Sequence, residues 1–418
     1  MYRDVLRPVV AQLTHHSEAS VRVLYDERQF TSTTAWLAET DTLESIWQHW
    51  DSQVEAKTRA LQRAWQAALT ELQATNALPR IIQDEGRSLW PQMQPTFAWL
   101  WRVYVPRLLP QAAIAWHILE RHRPALVISP YVAYPRTRLY YLLGRSLGIP
   151  TLEIQYGVYG AEAVEYQFFA ADHLASWGKT SYEVQVSHGV PAERITLTGS
   201  PRHDSLVNVT DDEVAQTRAR LGVPEGSALV LFASAYTFNA YDDIYAPAPL
   251  DAVKQAIFQA ADRMPGLCLV VKPHPLENVR ETQRLARGYR NILFADPRDD
   301  IRELIKACDA FITVGTTATM DALIAHKLTI WAAFPGLTWQ ANDCFLQSGA
   351  TLAAHTEEEL ARSLQIVVNG SHERVLADLE SARQDFLCRA VFRADGQASA
   401  RIEALALQFA QGGPIKSE

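Results

Sequence analysis

Long apolar runs are missing from this chain of 418 residues. No stretch approaches the roughly 18 uncharged apolar residues of a membrane span, which speaks against a membrane-crossing helix. The opening MYRDVLRPVVAQLTHH lacks the apolar core of a secretory signal, so a cytoplasmic protein is expected. Cysteine is scarce. Cys268, Cys308, Cys344 and Cys388 stand far apart, which excludes a close-spaced zinc or redox motif, and no metal site is expected. Such isolated thiols read as structural cysteines in a reducing compartment. A basic excess is absent as well. The formal net charge is -8 and the pI about 5.9, which argues against a nucleic-acid binder held by bulk charge. Internal repeats and low-complexity segments are also lacking.

What is present suits a large globular enzyme. The length predicts two domains, and 48% hydrophobic residues suffice for two cores. The 11 Trp and 15 Tyr suit either a sugar-binding cleft or ordinary packing, with packing the more common use. The aromatic stretch Phe97 to Tyr104 has two readings, contact with a membrane surface or burial in a core.

The first hundred residues read as mainly helical: a helix over Met1 to His15, a short strand over Val21 to Tyr25 and a long helix over Asp51 to Gln73. A further helix over Gln111 to His122 stops before Pro124. Strands and helices then alternate. Strands are predicted over 125–129, 151–155, 173–177 and 194–198, with helices over Arg138 to Leu147 and Thr180 to His188. After the turn-rich Thr198-Gly199-Ser200-Pro201-Arg202 a second series begins. Its strands are Ala228 to Ala233, Leu267 to Lys272, Asn291 to Phe294, Ala310 to Val314 and Leu328 to Ala332. This rhythm implies crossover connections and parallel sheets, an α/β fold. Thr356 to Gln411 reads as two or three amphipathic helices. The expected division is 1–200, 201–390 and a final helix, 391–418, packing back on the first domain.

In open α/β sheets, ligands bind beyond the carboxyl ends of the strands. One strand ends in Lys272-Pro273-His274-Pro275, with Glu277 close behind. The prolines fix the backbone around His274, and an imidazole beside a lysine suits an anionic ligand. A second strand runs into Gly315-Thr316-Thr317-Ala318-Thr319-Met320-Asp321. A helix opening there would present N–H groups to a phosphate, and Asp321 would reach a ribose hydroxyl. A threonine N-cap is the plainer reading, and it accounts for one threonine of the three. Ser234 ends the first strand of the second half, where small residues let a ligand approach. Tyr156, after Gln155 and before Gly157, is a ligand contact or a buried aromatic. Asp84 and Glu85, before Gly86, are a candidate general base or a solvated turn.

The strings GVPAERITLTGSPRHDSL, KPHP and DDIRELIKACDAFITVGTTATMDALIAHKLTIW resemble a broad group of bacterial GT-B enzymes. These are capsule-polysaccharide and surface-carbohydrate transferases, related to teichoic-acid glycerophosphotransferases and UDP-N-acetylglucosamine 2-epimerase-like proteins. The resemblance spans roughly residues 124 to 335. It implies two Rossmann-like domains facing a cleft, with C-terminal helices crossing back. It implies donor-phosphate contacts from His274 and Pro275, and nucleotide contacts from Thr316, Thr317, Thr319 and Asp321, where the group commonly has Glu. The group's Gln-His-Gly is Gln155-Tyr156-Gly157 here, and a tyrosine is a poor base near neutral pH. Asp84-Glu85-Gly86 looks like the acidic pair that serves as base in bacterial sialyltransferases, without the strand that usually precedes it.

The expectation is an inverting-type glycosyltransferase that moves a sugar from a nucleotide-activated donor to a glycan or lipid-linked acceptor. The nucleotide sugar is a co-substrate and no other cofactor is expected. Peripheral contact with the inner face of the membrane fits such an acceptor. His274, Lys272 and the threonine turn would stabilise the leaving phosphate. An epimerase or a CDP-alcohol phosphotransferase on the same scaffold is the second reading. A GT-B-derived binding protein without catalysis is the third.

Overall fold

The computed structural model describes residues 2–16, 20–26, 43–75, 77–130, 135–158, 168–207, 209–235, 248–274, 277–334 and 343–412. The chain opens with α1 (Tyr2–His16), followed by the parallel pair β1 (Val23–Tyr25) and β2 (Leu43–Ser45). A 3₁₀ turn, Ile46–His49, leads into the long α2 (Ser52–Ala74). Asp51 caps that helix by accepting the Val54 N–H at 2.8 Å. Next come α3 (Leu78–Ile81), the hairpin strands β3 (Gln83–Asp84) and β4 (Arg87–Ser88), and α4 (Trp90–Trp99). A π turn, Leu100–Tyr104, joins α4 to α5 (Val105–His122). The helix expected to start at Gln111 therefore starts earlier. Pro106 and Pro110 suggest a break, yet Pro106 falls in the first turn of α5, where no N–H is needed.

The first large sheet holds β5 (Val127–Ser129), β6 (Thr151–Ile154), β7 (His173–Ser176) and β8 (Ile195–Leu197). Helices α6 (Pro135–Leu147) and α7 (Lys179–Ser187) lie between its strands. The strands run parallel in the order β5-β6-β7-β8, so the chain winds in one direction across the sheet. A 3₁₀ turn, Pro201–Leu206, and α8 (Asp211–Leu221) follow.

The second sheet contains β9 (Ala228–Ala233), α9 (Ala248–Asp262), β10 (Leu267–Lys272), α10 (Val279–Leu285) and β11 (Ile292–Phe294). It continues with α11 (Ile301–Ala307), β12 (Ala310–Thr313), α12 (Ala318–Ile324), β13 (Leu328–Ala332), α13 (Asp343–Gln347) and β14 (Leu352–Ala354). The sheet is parallel throughout, in the order β11-β10-β9-β12-β13-β14. The path runs outward from β9 to one side, then returns to start again at β12. That is the doubly wound order, and it leaves a switch point between β9 and β12. Strand β9 shows why the sheet is covered on both faces. Val230 and Phe232 pack with Ile257, Leu269 and Leu364, whereas Leu229 and Leu231 pack with Val270, Leu304 and Ala322. Alternate residues point to opposite faces, so a continuous apolar run serves two helix layers. Strand β14 was not among the expected strands, since its short Leu-Ala-Ala carries almost no pattern.

The tail forms α14 (Glu357–Val368), α15 (His372–Ala390) and α16 (Ala398–Ala410). It returns to the first sheet at residues 391–392, where the Phe392 N–H donates to the Trp177 carbonyl at 2.7 Å. Gly178 makes this approach close: a Cβ there would stand 2.5 Å from the Ala390 carbonyl oxygen. Helix α16 then buries Ile402, Leu405 and Ala406 with Val5 and Val9 of α1 against Leu152, Ile154 and Ala175 of the first sheet. Among the described residues no helix is long and apolar enough to cross a membrane. The stretch Phe97 to Tyr104 is helical, with Trp101 near the Trp90 and Phe97 rings and Trp99 half exposed.

Candidate functional site

The register aligns the strand ends at the switch point. Ala233 of β9 pairs with Lys272 of β10 on one side and with Thr313 of β12 on the other. Ser234, Pro273-His274 and Val314-Gly315-Thr316 therefore leave the sheet at one level, side by side. Pro275 lies outside the described residues.

A buried carboxylate holds the β10 loop. Glu277 Oε1 accepts bonds from Lys254 Nζ at 2.7 Å, from Ser234 Oγ at 2.8 Å and from Thr282 Oγ1. Its Oε2 accepts the His274 backbone N–H at 2.9 Å. Burial tends to raise the carboxyl pKa, but the Lys254 charge and the donated bonds outweigh it, and the net shift is downward. Glu277 and Ser234 were expected to touch the donor. Both are consumed inside the protein, with Ser234 3% exposed, and they position the loop. A carboxylate removed from water needs such partners.

Lys272 is likewise engaged. Its ammonium donates to the carbonyls of Pro273 at 3.1 Å and Pro297 at 3.0 Å, tying the ends of β10 and β11 together. Burial lowers its pKa against the opposing pull of Asp299, Asp296 and Asp300. The imidazole of His274 is partly buried at the sheet edge. Burial, opposed by Glu277 and helped by Lys272, brings its pKa down to about 4. At neutral pH the ring is uncharged, with one N–H donor and one acceptor.

The threonine turn is more self-contained than its sequence suggests. The Thr313 hydroxyl accepts the N–H groups of Gly315 at 3.0 Å and Thr316 at 3.1 Å. The Thr316 hydroxyl accepts the Ala318 N–H at 3.3 Å. The Thr319 hydroxyl donates to the Thr316 carbonyl at 2.7 Å and is fully buried. These N–H groups were expected to be open to a phosphate. Hydroxyls of the same turn satisfy them instead, and Thr319 belongs to the scaffold. Gly315, at φ +120°, Thr316 and Thr317 keep partial exposure and form the accessible part.

Asp321 departs furthest from expectation. It is 0% exposed, and both its oxygens accept from Arg202 Nε at 2.9 Å, with a further bond from the second guanidinium nitrogen. Asp321 therefore closes a buried ion pair between α12 and the 3₁₀ turn after β8, and does not face a ribose. Asp321 outweighs the effect of burial and shifts the Arg202 pKa upward. Arg302 donates to the Arg202 carbonyl at 3.0 Å and pairs with Asp300 and Asp4. His203 sits alongside, 3% exposed, edge-on to Trp177 at 4.9 Å and 3.5 Å from Asp321 Oδ1. Burial and the charges of Arg202 and Arg302 push its pKa well down, so it is neutral there.

Arg202, His203, Arg302 and Lys254 escaped the sequence reading. The first two stand inside the string GSPRHD, but nothing in that string tells that a residue more than a hundred positions later completes the pair.

In the first half, Gln155 is fully buried. It accepts the Trp177 N–H at 2.8 Å and donates to the Gly157 carbonyl and the Ser181 hydroxyl, both at 2.7 Å. Tyr156 packs beside the apolar cluster of α1 and α16. Asp84 and Glu85 are exposed, on the tip of the β3–β4 hairpin, with Glu85 at φ +45° and Gly86 at φ +78°. Positive φ at both central residues marks a tight two-residue hairpin turn. The structure places that acidic pair on a surface ribbon of the helical segment, separate from the two large sheets.

Comparison with known proteins adds a family match and a fold. Residues 162–314 match the family model of CDP-glycerol:poly(glycerophosphate) glycerophosphotransferase. No curated protein matches the chain by sequence. Among solved structures, a UDP-N-acetylglucosamine 2-epimerase is similar with a TM-score of 0.61 at 12% identity, covering 99% of this chain and 94% of that one. The UDP-GlcNAc 2-epimerase of Neisseria meningitidis gives 0.52 at 14% identity, covering 72% and 80%. The wall teichoic acid polymerase TagF gives 0.50 at 13% identity, covering 77% and 98%. The chain thus has a GT-B-like α/β fold, and the segment that matches the glycerophosphotransferase model runs from before β7 to just past the end of β12.

Proposed function

We propose that the protein is a transferase that binds a nucleotide-activated donor at the switch point of the second sheet and moves the donor's activated group to a hydroxyl of a surface polymer. The observation that supports this most is the register at Ala233, which sets the His274 loop and the Gly315–Thr317 turn side by side. The neutral His274 imidazole donates to a phosphate oxygen there. Lys272, fixed by two carbonyls, contributes its charge from behind the loop. The exposed part of the threonine turn contacts the nucleotide end.

Sugar transfer was the first expectation. The family match over 162–314 shifts the favoured donor to a CDP-alcohol. In that reaction the acceptor hydroxyl oxygen bonds to the outer phosphorus and its proton passes to water, while the bond from that phosphorus to the bridging oxygen breaks and CMP leaves with the electron pair on that oxygen. The acceptor is a glycan or lipid-linked chain, met in the cytoplasm at the membrane face. Calorimetry with CDP-glycerol and with UDP-, GDP- and CMP-linked sugars tests the reading. Binding of CDP-glycerol with release of CMP is expected. Binding of a nucleotide sugar with release of the nucleotide would restore sugar transfer, and binding of none would sink the proposal. His274→Ala is expected to cut kcat/KM by about 10²–10³-fold with unfolding unchanged, the scale of one lost transition-state donor. An unaltered rate would remove His274 from the site.

A further inference from the structure

Three metal-ligand side chains from separate elements converge in the N-terminal part, outside the donor site. Glu44 lies in β2, His49 ends the 3₁₀ turn that follows it, and His122 is in the last turn of α5. One ligand atom from each lies within 4.8 Å of the others. Glu44 Oε2 is 3.1 Å from His49 Nε2. Two ligands about 2.0–2.1 Å from one tetrahedral zinc ion stand roughly 3.3 Å apart, so this pair already has the needed spacing. The His122 ring lies 5.6 Å from the His49 ring, edge-on at 83°.

The bland reading is an ion pair in which Glu44 bridges Arg22 and His49. It leaves His122 unexplained. Its Nε2 is buried and has no hydrogen-bond partner, which costs free energy in an otherwise packed corner. A cation facing that nitrogen removes the cost. The other Glu44 oxygen is held by Arg22, which leaves Oε2 facing the His49 imidazole, as an outer partner orients a ligating carboxylate.

We propose that Glu44, His49 and His122 form a binding site for a divalent transition metal of the zinc class. Two imidazoles and one carboxylate suit such an ion better than calcium or magnesium, which take oxygen ligands. The site staples β2 to the end of α5, over the small core of Ile46, Val54, Ile114 and Ile118. Three protein ligands leave a fourth position for water. Its role is structural and independent of the donor reading.

The test uses the full chain, stripped with a chelator and titrated with zinc alone against a chromophoric competitor. One equivalent per chain, a raised unfolding midpoint and a tetrahedral cobalt(II) spectrum on substitution are expected. His49→Ala and Glu44→Gln, each checked for folding by circular dichroism, are expected to weaken zinc by more than about tenfold, as loss of a ligand does at minimum. His372→Ala, which alters a histidine elsewhere, leaves binding unchanged. Absence of stoichiometric binding to the folded wild type overturns the proposal. So does binding that both ligand variants keep, which places zinc elsewhere.

Discussion

His173, His203 and His274 are held neutral by burial. His173 and His274 have pKa values brought down to about 4, chiefly by desolvation, and burial together with the charges of Arg202 and Arg302 pushes the His203 pKa well below the ordinary 6.5. His173 adds a bond between Nε2 and the Thr196 hydroxyl at 2.8 Å. In the unfolded chain each returns toward the ordinary value of 6.5. Between about pH 6.5 and 4 the unfolded state thus binds more protons than the folded state. Stability from these groups is complete above the unfolded value and is lost as the pH falls. The unfolding midpoint is therefore expected to drop across that window, with a slope that His203→Leu reduces. Thermal melts at several pH values check this. A flat profile would mean that these rings stay hydrated. Because His203 is neutral, its swap for a residue of similar volume should cost less than about 1.5 kcal/mol at pH 7.5.

Among the elements, the β10 loop depends on a group that touches no ligand. Glu277 collects Lys254, Ser234, Thr282 and the His274 backbone into one buried network. Glu277→Gln removes the negative charge and leaves Lys254, 5% exposed in its side chain, without its partner. A destabilisation of about 3–5 kcal/mol is expected, the usual cost of breaking a buried pair from one side. Donor affinity should fall as well, although His274 is untouched, because the loop that aims it loses its clamp. Denaturant unfolding and donor titration on the same variant separate the two effects. A donor Kd that changes while unfolding does not would make Glu277 a direct ligand, as first expected from its place beside His274.

At the scale of the molecule, the two sheets are locked where the Arg202–Asp321 pair meets the cluster of Trp177, Met320, Trp331, Leu387 and Val391. The pair is sealed from water, with side-chain exposures of 9% and 0%. Asp321→Asn and Arg202→Leu are each expected to cost about 3–5 kcal/mol. The double variant should cost less than their sum, since no charge is then stranded. A double-mutant cycle in denaturant measures that coupling. Additive costs would show that the two side chains act independently. A ribose contact from Asp321 would instead lower donor affinity and leave unfolding unchanged.

Periodicity and spacing alone settled much of this protein. The apolar runs of β9, β10, β12 and β13, each buried throughout or nearly so, can belong to little else than a doubly covered parallel sheet. The Lys272–His274 and Gly315–Asp321 strings likewise pointed to two strand ends, and the register sets those two ends side by side. The sequence did not apportion work within those strings. Ser234, Glu277, Thr319 and Asp321 are polar residues near a presumed site, and pattern cannot tell a ligand contact from an internal partner. That choice depends on which distant group arrives beside each one: Lys254 beside Glu277, Arg202 beside Asp321, Thr313 beside Thr319. The Glu44, His49 and His122 cluster is the same lesson, since no spacing along the chain marks it. Local propensity is written in neighbouring residues, whereas the cost of a buried polar group is met across the fold, so the tertiary structure alone assigns it.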